Sequence, residues 1–112
     1  MKNKLHYSPA AQRDLDDIWD YISADLANPI AAAHTVNEII DTIEQLSDFA
    51  EVGAPLNSII DVQSDYRFLV CGSYLAFYRV IGHDVYIDHV LYGRRDFMRI
   101  LFGDALPAPW MM

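Results

Sequence analysis

The feature that most constrains this chain is a change of hydrophobic period near residue 64. Upstream, apolar residues recur at steps of three and four, the spacing that lines one side of an α-helix. Downstream they alternate, the spacing that lines one face of a strand. A chain that begins helical and ends in strands must bury a helical stripe against a sheet face, which is an α+β layer architecture.

Two cap-and-proline pairs set the helix starts. Ser8 can accept from free N–H groups of the first turn, and Pro9 fits the first helical position because it has no N–H to lose. Leu15, Ile18, Trp19, Ile22 and Leu26 then share a face, with Asp14, Asp16, Asp17 and Asp20 at the helix start and on the solvent side. Asn28-Pro29 repeats the signal. A second helix is predicted from Pro29 to about Ser47, with Val36, Ile39, Ile40, Ile43 and Leu46 as its apolar stripe. So short a gap makes the two helices an antiparallel hairpin. Lys4 to Tyr7 reads as a first strand at the sheet edge, and residues 48–63, with Gly53, Pro55 and Asn57, as a loop.

The second half reads as an antiparallel meander. Its strands are Tyr66 to Cys71, Tyr74 to Val80 and Val85 to Tyr92, with turns at Gly72-Ser73 and Ile81-Gly82-His83-Asp84. Gly93 ends it, and Arg94 to Phe102 is predicted as a short helix. The expected fold is α+β: a short N-terminal strand, an antiparallel two-helix hairpin packed on a small antiparallel sheet, and a short C-terminal helix. One domain over residues 1–112 is expected, with residues 103–112 an apolar tail.

Hydrophobic residues at 53%, including 2 Trp, 7 Tyr and 5 Phe, supply enough apolar material for one core and argue against disorder. No apolar run reaches the ~18 residues of a membrane helix. Lys2 and Lys4 lack the apolar stretch that would follow them in a signal peptide. Cys71 has no second cysteine to pair with, which fits a cytoplasmic setting. The net charge of −8 lies in residues 1–63, where 3 basic side chains meet 11 acidic ones; residues 64–112 hold 5 of each. An acidic half disfavours direct nucleic-acid binding. The neutral half, with Arg67, Arg79, Arg94, Arg95 and Arg99, leaves room for a local basic site.

Four segments, in order, resemble the RelE/ParE toxin superfamily. They are Leu5-His6-Tyr7-Ser8-Pro9-Ala10-Ala11 with Asp14-Leu15 and Ile18-Trp19-Asp20-Tyr21-Ile22; Asn28-Pro29 with Ala31-Ala32, closing at Leu46; Tyr66-Arg67 with Gly72-Ser73-Tyr74-Leu75-Ala76-Phe77-Tyr78-Arg79-Val80; and Val85-Tyr86-Ile87 with Val90-Leu91-Tyr92-Gly93-Arg94-Arg95-Asp96. The likeness spans roughly residues 4–102. It implies a small bacterial toxin of the plasmid-stabilisation type, silenced by a cognate antitoxin encoded beside it. RelE-like members cleave messenger RNA in the ribosome, whereas ParE-like members poison DNA gyrase and are not nucleases.

Metal-free RNA cleavage needs groups that move a proton and steady the phosphorane charge. RelE-like nucleases place an arginine early in the strand after the turn, where Leu75 stands here, and a late tyrosine whose counterpart is Leu101 or Phe102. Arg95 alone matches a nuclease arginine, and the upstream lysines are absent, since Lys2 and Lys4 are the chain's lysines. Losing one such donor typically costs ~100-fold or more in rate. The resemblance therefore implies the ParE-like branch: a gyrase inhibitor rather than an enzyme. A ribosome-dependent ribonuclease using Arg95, or a non-toxic binding module or homodimer on the same fold, are the alternatives. A net charge of −8 departs from the basic character of RNA-cutting members and points to an antitoxin contact that is apolar rather than charge-led.

Candidate target-binding residues are Arg67, Arg79, Arg94, Arg95 and, in the apolar tail, Trp110. Each has a plainer reading. Arg94 and Arg95 oppose the dipole of the helix they open and can pair with Asp96 or Asp88. Arg67 and Arg79 can lay their stems over Tyr74 or Tyr78. His83 falls in a turn, and His89 points the way of Val85 and Ile87 as a packed histidine with no second catalytic partner spaced to activate it. Cys71 has no base beside it. No cofactor is expected, and His83-Asp84 with Asp88-His89 is too thin a set for a metal.

Overall fold

The computed structural model describes residues 2–58, 64–93 and 97–102. Strand β1 (Lys4–Tyr7) leads into helix α1 (Pro9–Asp20), continued by one π-helical turn, Tyr21–Asp25, and then helix α2 (Pro29–Glu44). Both cap signals act as expected: Ala11 N–H donates to Ser8 Oγ at 2.9 Å and Ala31 N–H to Asn28 Oδ1 at 3.1 Å. The connection turns at Ala27, which adopts a left-handed φ of 51°.

The strands that follow are β2 (Ala54–Pro55), β3 (Arg67–Cys71), β4 (Tyr74–Ile81) and β5 (Asp84–Tyr92), before helix α3 (Phe97–Phe102). They form a sheet in the order β1-β5-β4-β3-β2. Gly72 and Gly82 hold the two tight turns with φ of 64° and 62°, a region open to glycine at little cost. Ile81 and Asp84 already pair with each other, so the second turn is narrower than expected.

Three details differ from the sequence reading. The sheet is mixed rather than antiparallel throughout, because β1 runs parallel to β5 with Leu5 opposite Val85. The helices bring the chain back beside the start of β1, where Asn3 N–H donates to Ser47 O at 2.7 Å, and β3, β4 and β5 alternate from there, so that β5 runs the way β1 does. The expected loop contains β2, which pairs Ala54 with Phe68 and Pro55 with Arg67; a proline fits there because an edge strand can spare an N–H. The described part of the last helix begins at Phe97, and residues 94–96 lie outside the described residues.

The two faces of the sheet are covered unequally. Among the described residues, the hairpin side buries fourteen, including Ala11, Ile18, Ala32, Ile39 and Ile43 from the helices and Leu69, Tyr78, Val85, Ile87 and Val90 from the strands. The opposite side buries Leu56, Phe77 and Leu91, with Phe97, Ile100, Leu101 and Phe102 of α3 packed against them.

Candidate functional site

The polar groups gather where β5 breaks its register. Phe77 pairs with His89, yet the next residue, Tyr78, pairs with Ile87, so Asp88 has no cross-strand partner in β4. This is a β-bulge, a device that re-aims a side chain and often borders functional sites. Asp88 Oδ2 accepts from Tyr66 Oη at 2.8 Å and from Arg79 Nε at 3.0 Å. The Arg79 guanidinium lies 5.4 Å from the centre of the Tyr66 ring. The main-chain carbonyl of Asp88 accepts from Ser8 Oγ at 2.7 Å, which ties the cap of α1 to the bulge.

The next residue is held from the helical layer. His89 Nδ1 lies 2.8 Å from Asp14 Oδ2, and the same oxygen accepts from Val90 N–H at 3.0 Å. Asp14 therefore docks on β5 rather than facing solvent with its neighbours. His89 does have a carboxylate partner, 75 residues away in sequence and invisible to local spacing. Such a carboxylate fixes an imidazole tautomer. Here the same carboxylate also accepts from the Val90 main chain, which makes Asp14 a fastening of α1 to β5.

Burial first, then the hydrogen bond and charge of Asp88, push the Tyr66 phenol up to about 12. It stays a neutral donor. Burial opposes the charge on Arg79, but Asp88, Tyr66 and Asp65 together outweigh it and push the guanidinium up, so it stays protonated. The Arg79 side chain remains 39% exposed, so its guanidinium is presented on this face while Asp88 holds its tilt.

Arg67 does different work. It is opposite Tyr78 in the β3–β4 register, which puts it on the hairpin face, whereas Arg79 is one residue beyond and on the other face. Its Nε donates to Gly53 O at 3.0 Å and its Nη2 to Glu51 O at 3.1 Å. Tyr78 Oη donates to Ala50 O at 2.9 Å and accepts from Gly53 N–H at 3.0 Å. Arg67 and Tyr78 thus clasp the 50–53 segment to the sheet.

The expected stacking of both arginines on Tyr74 or Tyr78 is corrected accordingly: Arg79 lies over Tyr66, and Arg67 is spent on main-chain carbonyls. Asp88, offered as a partner for Arg94 or Arg95, is held by Arg79 and Tyr66. Arg94, Arg95, Asp96 and Trp110 lie outside the described residues. Leu75 packs half-buried in the small cluster beneath α3. An apolar side chain there offers nothing to a phosphate.

A groove of about 430 Å³ opens between the hairpin and the β3–β4 turn, floored by Ile22, Ile39 and Cys71 and rimmed by tyrosines. Sequence reasoning did not single it out. Its signal was the absence of any lysine or arginine between Arg13 and Arg67, against twelve acidic residues.

A family described as ParE toxin of type II toxin-antitoxin system, parDE, matches residues 5–97. A curated relative, Toxin ParE1 of Mycobacterium tuberculosis, is 30% identical over 102 residues, covering 90% of this chain and all of that protein. A structure described as the chromosomal ParDE TA system from P. aeruginosa superposes with a TM-score of 0.68 at 26% identity, covering 81% of this chain and 96% of the other. The toxin–antitoxin complex RelBE2 from Mycobacterium tuberculosis shares the fold, with a TM-score of 0.54 at 20% identity over 82% of this chain and 99% of that one.

Proposed function

The chain belongs to the ParE toxin family of type II toxin–antitoxin systems, and from that premise we propose that it inhibits DNA gyrase and is neutralised by a cognate antitoxin. The observation that carries the reading is the family match over residues 5–97, nearer to ParE than to RelE. The chemistry of the sheet supports it. At the place where RelE-like nucleases set an arginine, Leu75 packs under α3, and Arg79 on the same face is committed to Asp88. An arginine held in this way suits contact with a protein surface better than in-line phosphate chemistry.

The partner follows the same logic. The solved ParDE structure from P. aeruginosa is that of a toxin–antitoxin system, and a cognate antitoxin is the corresponding partner here. Target contact is assigned to Arg79 on the sheet face, and by resemblance to Arg94, Arg95 and Trp110. Arg67 is a weaker candidate, since its donors hold the 50–53 segment.

The deciding experiment incubates the purified protein with DNA gyrase and supercoiled plasmid and scores trapped cleavage complexes. Gyrase-dependent linear DNA, lost in Arg94→Ala/Arg95→Ala, is the expected result. Unchanged supercoiling with intact plasmid sinks the gyrase assignment. Messenger cleavage on translating ribosomes would then establish the nuclease alternative.

A further inference from the structure

The groove between the hairpin and the β3–β4 turn is lined by none of Tyr66, Arg67, Arg79 and Asp88. Its floor is apolar, and its rim brings together Tyr21, Tyr74 and Tyr92. Tyr74 and Tyr92 meet edge to face with ring centres 5.8 Å apart. Tyr21 is 52% exposed and Leu26, beside it on the rim, 55%. Exposed tyrosines and leucine around a desolvated floor are the composition of an interface centre.

Among the described residues that line the groove, the charge is of one sign. Glu38 of α2 lines it and also lines a shallower, polar depression with Asn37, Asp41 and Thr42. The two hollows therefore meet at Glu38. Glu38 is 60% exposed, and its contact is with His34 at 3.7 Å on the same helix. From Asp14 to Glu44 the hairpin carries eight acidic side chains and no lysine or arginine. An apolar slot that runs into uncompensated carboxylates calls for apolar side chains followed by cations. The tyrosine faces favour the same occupant, because a ring attracts a guanidinium or ammonium.

We propose that this groove receives a basic, amphipathic segment of the cognate antitoxin: apolar side chains over Ile22, Ile39 and Cys71, and lysine or arginine on Glu38 and Asp41. The inference rests on the toxin–antitoxin reading and specifies the chemistry of its partner. It also revises the expectation of an antitoxin contact led by apolar groups alone. The apolar floor supplies area, while the carboxylates set register and encounter rate.

The test titrates the full-length chain with the cognate antitoxin at low and high salt. Glu38→Lys/Asp41→Lys, at exposed positions where folding is undisturbed, should weaken binding about tenfold or more. Wild-type affinity should fall as salt rises. Glu44→Lys/Asp48→Lys changes the net charge equally beyond the groove and should stay within about twofold of the wild type. A lysine-to-glutamate change in the antitoxin segment should recover binding to Glu38→Lys/Asp41→Lys. Equal affinity of the two reversed proteins overturns the groove assignment while leaving the toxin–antitoxin reading intact. Binding of the wild type that is indifferent to salt overturns it as well. Absence of any complex with the wild type overturns the neutralisation reading itself, and this inference with it.

Discussion

The two faces of the sheet are built for different tasks. Among the described residues, the hairpin face buries fourteen in one continuous cluster, with helices contributing a stripe and strands an alternate row. The other buries three of the described residues, under α3, and holds the Tyr66–Arg79–Asp88 group at its surface. Apolar area sets the stability of a domain this size. The hairpin face therefore carries the fold. The thinner face can then tolerate a bulge and a presented cation. Polar fastenings cross between the layers at the bulge, where Ser8 and Asp14 hold β5 from the helical side.

The sharpest way to break that contrast is to cut one side chain from each face. Ile43 is fully buried in the hairpin core, and Ile43→Ala should cost about 4 kcal/mol in transfer and cavity energy. Leu101 on α3 is half-buried, and Leu101→Ala should cost about 1 kcal/mol. Urea unfolding of both proteins measures the ratio. Equal losses would make the α3 face a second core and end the division of labour argued here.

The clasp between the sheet and the 50–53 segment comes next in size. A Cβ on Gly53 would lie 2.5 Å from Tyr78 Oη and 2.6 Å from the main-chain oxygen of Phe68. The backbone neighbour cannot swing away, and the tyrosine would lose its bond from Gly53 N–H. Gly53→Ala should therefore destabilise by about 3 kcal/mol. Tyr78→Phe, which removes only the hydroxyl, should cost about 1 kcal/mol. A Gly53→Ala protein with wild-type midpoint would show that the segment yields freely and is no part of the hairpin face.

Much of this was legible locally. Ser8-Pro9 and Asn28-Pro29 announced both helices because capping is decided within four residues. Gly72 and Gly82 marked the hairpin turns because few other residues take their φ. What local pattern missed depends on register. Strict alternation groups His89 with Val85 and Ile87, yet the bulge resets the count and buries Val90 instead. The same reset exposes Asp88 to Tyr66 and Arg79. Arg67 and Arg79 look equivalent along the chain, and only the pairing of Arg67 with Tyr78 shows that they point to opposite faces. Ala54–Pro55 gave no strand signal because two residues carry no period. Arg94, Arg95 and Trp110 were legible by resemblance alone.

The polar group on the thin face gives a prediction in pH. The Tyr66 phenol is raised from 10.0 to about 12, so the folded chain holds its proton longer than the unfolded chain does. Its contribution is complete below pH 10 and is lost as pH climbs from 10 toward about 12. Tyr7, buried on the hairpin side and raised to the same level, acts in the same sense. Stability should therefore fall through this alkaline window, and Tyr66→Phe should flatten the fall. Asp88→Ala should lower the Tyr66 titration, followed by tyrosinate absorbance, though burial keeps it above the usual value. It should cost about 2 kcal/mol, because Arg79 and Tyr66 lose their shared acceptor. A Tyr66 titration unmoved by Asp88→Ala would mean that the bulge does not organise this face.

The smallest effect probes the hairpin face at a strained residue, Ala27. Ala27 holds a left-handed φ of 51° between the π-helical turn and α2. That conformation crowds the Cβ of an L-residue, and glycine avoids the clash while losing some entropy on folding. Ala27→Gly should therefore stabilise the chain by about 0.5 kcal/mol, seen as a higher urea midpoint at unchanged slope. The site adjoins Leu26 at the rim of the tyrosine groove, which gives the substitution a second reading. If antitoxin affinity is unchanged while stability rises, the strain is local to the turn and the groove is set by its packed floor. If affinity falls as stability rises, the strained turn holds Leu26 and Tyr21 in place for the partner. In that case the face that carries the fold also gives up stability for binding, and the contrast between the two faces narrows to their cores.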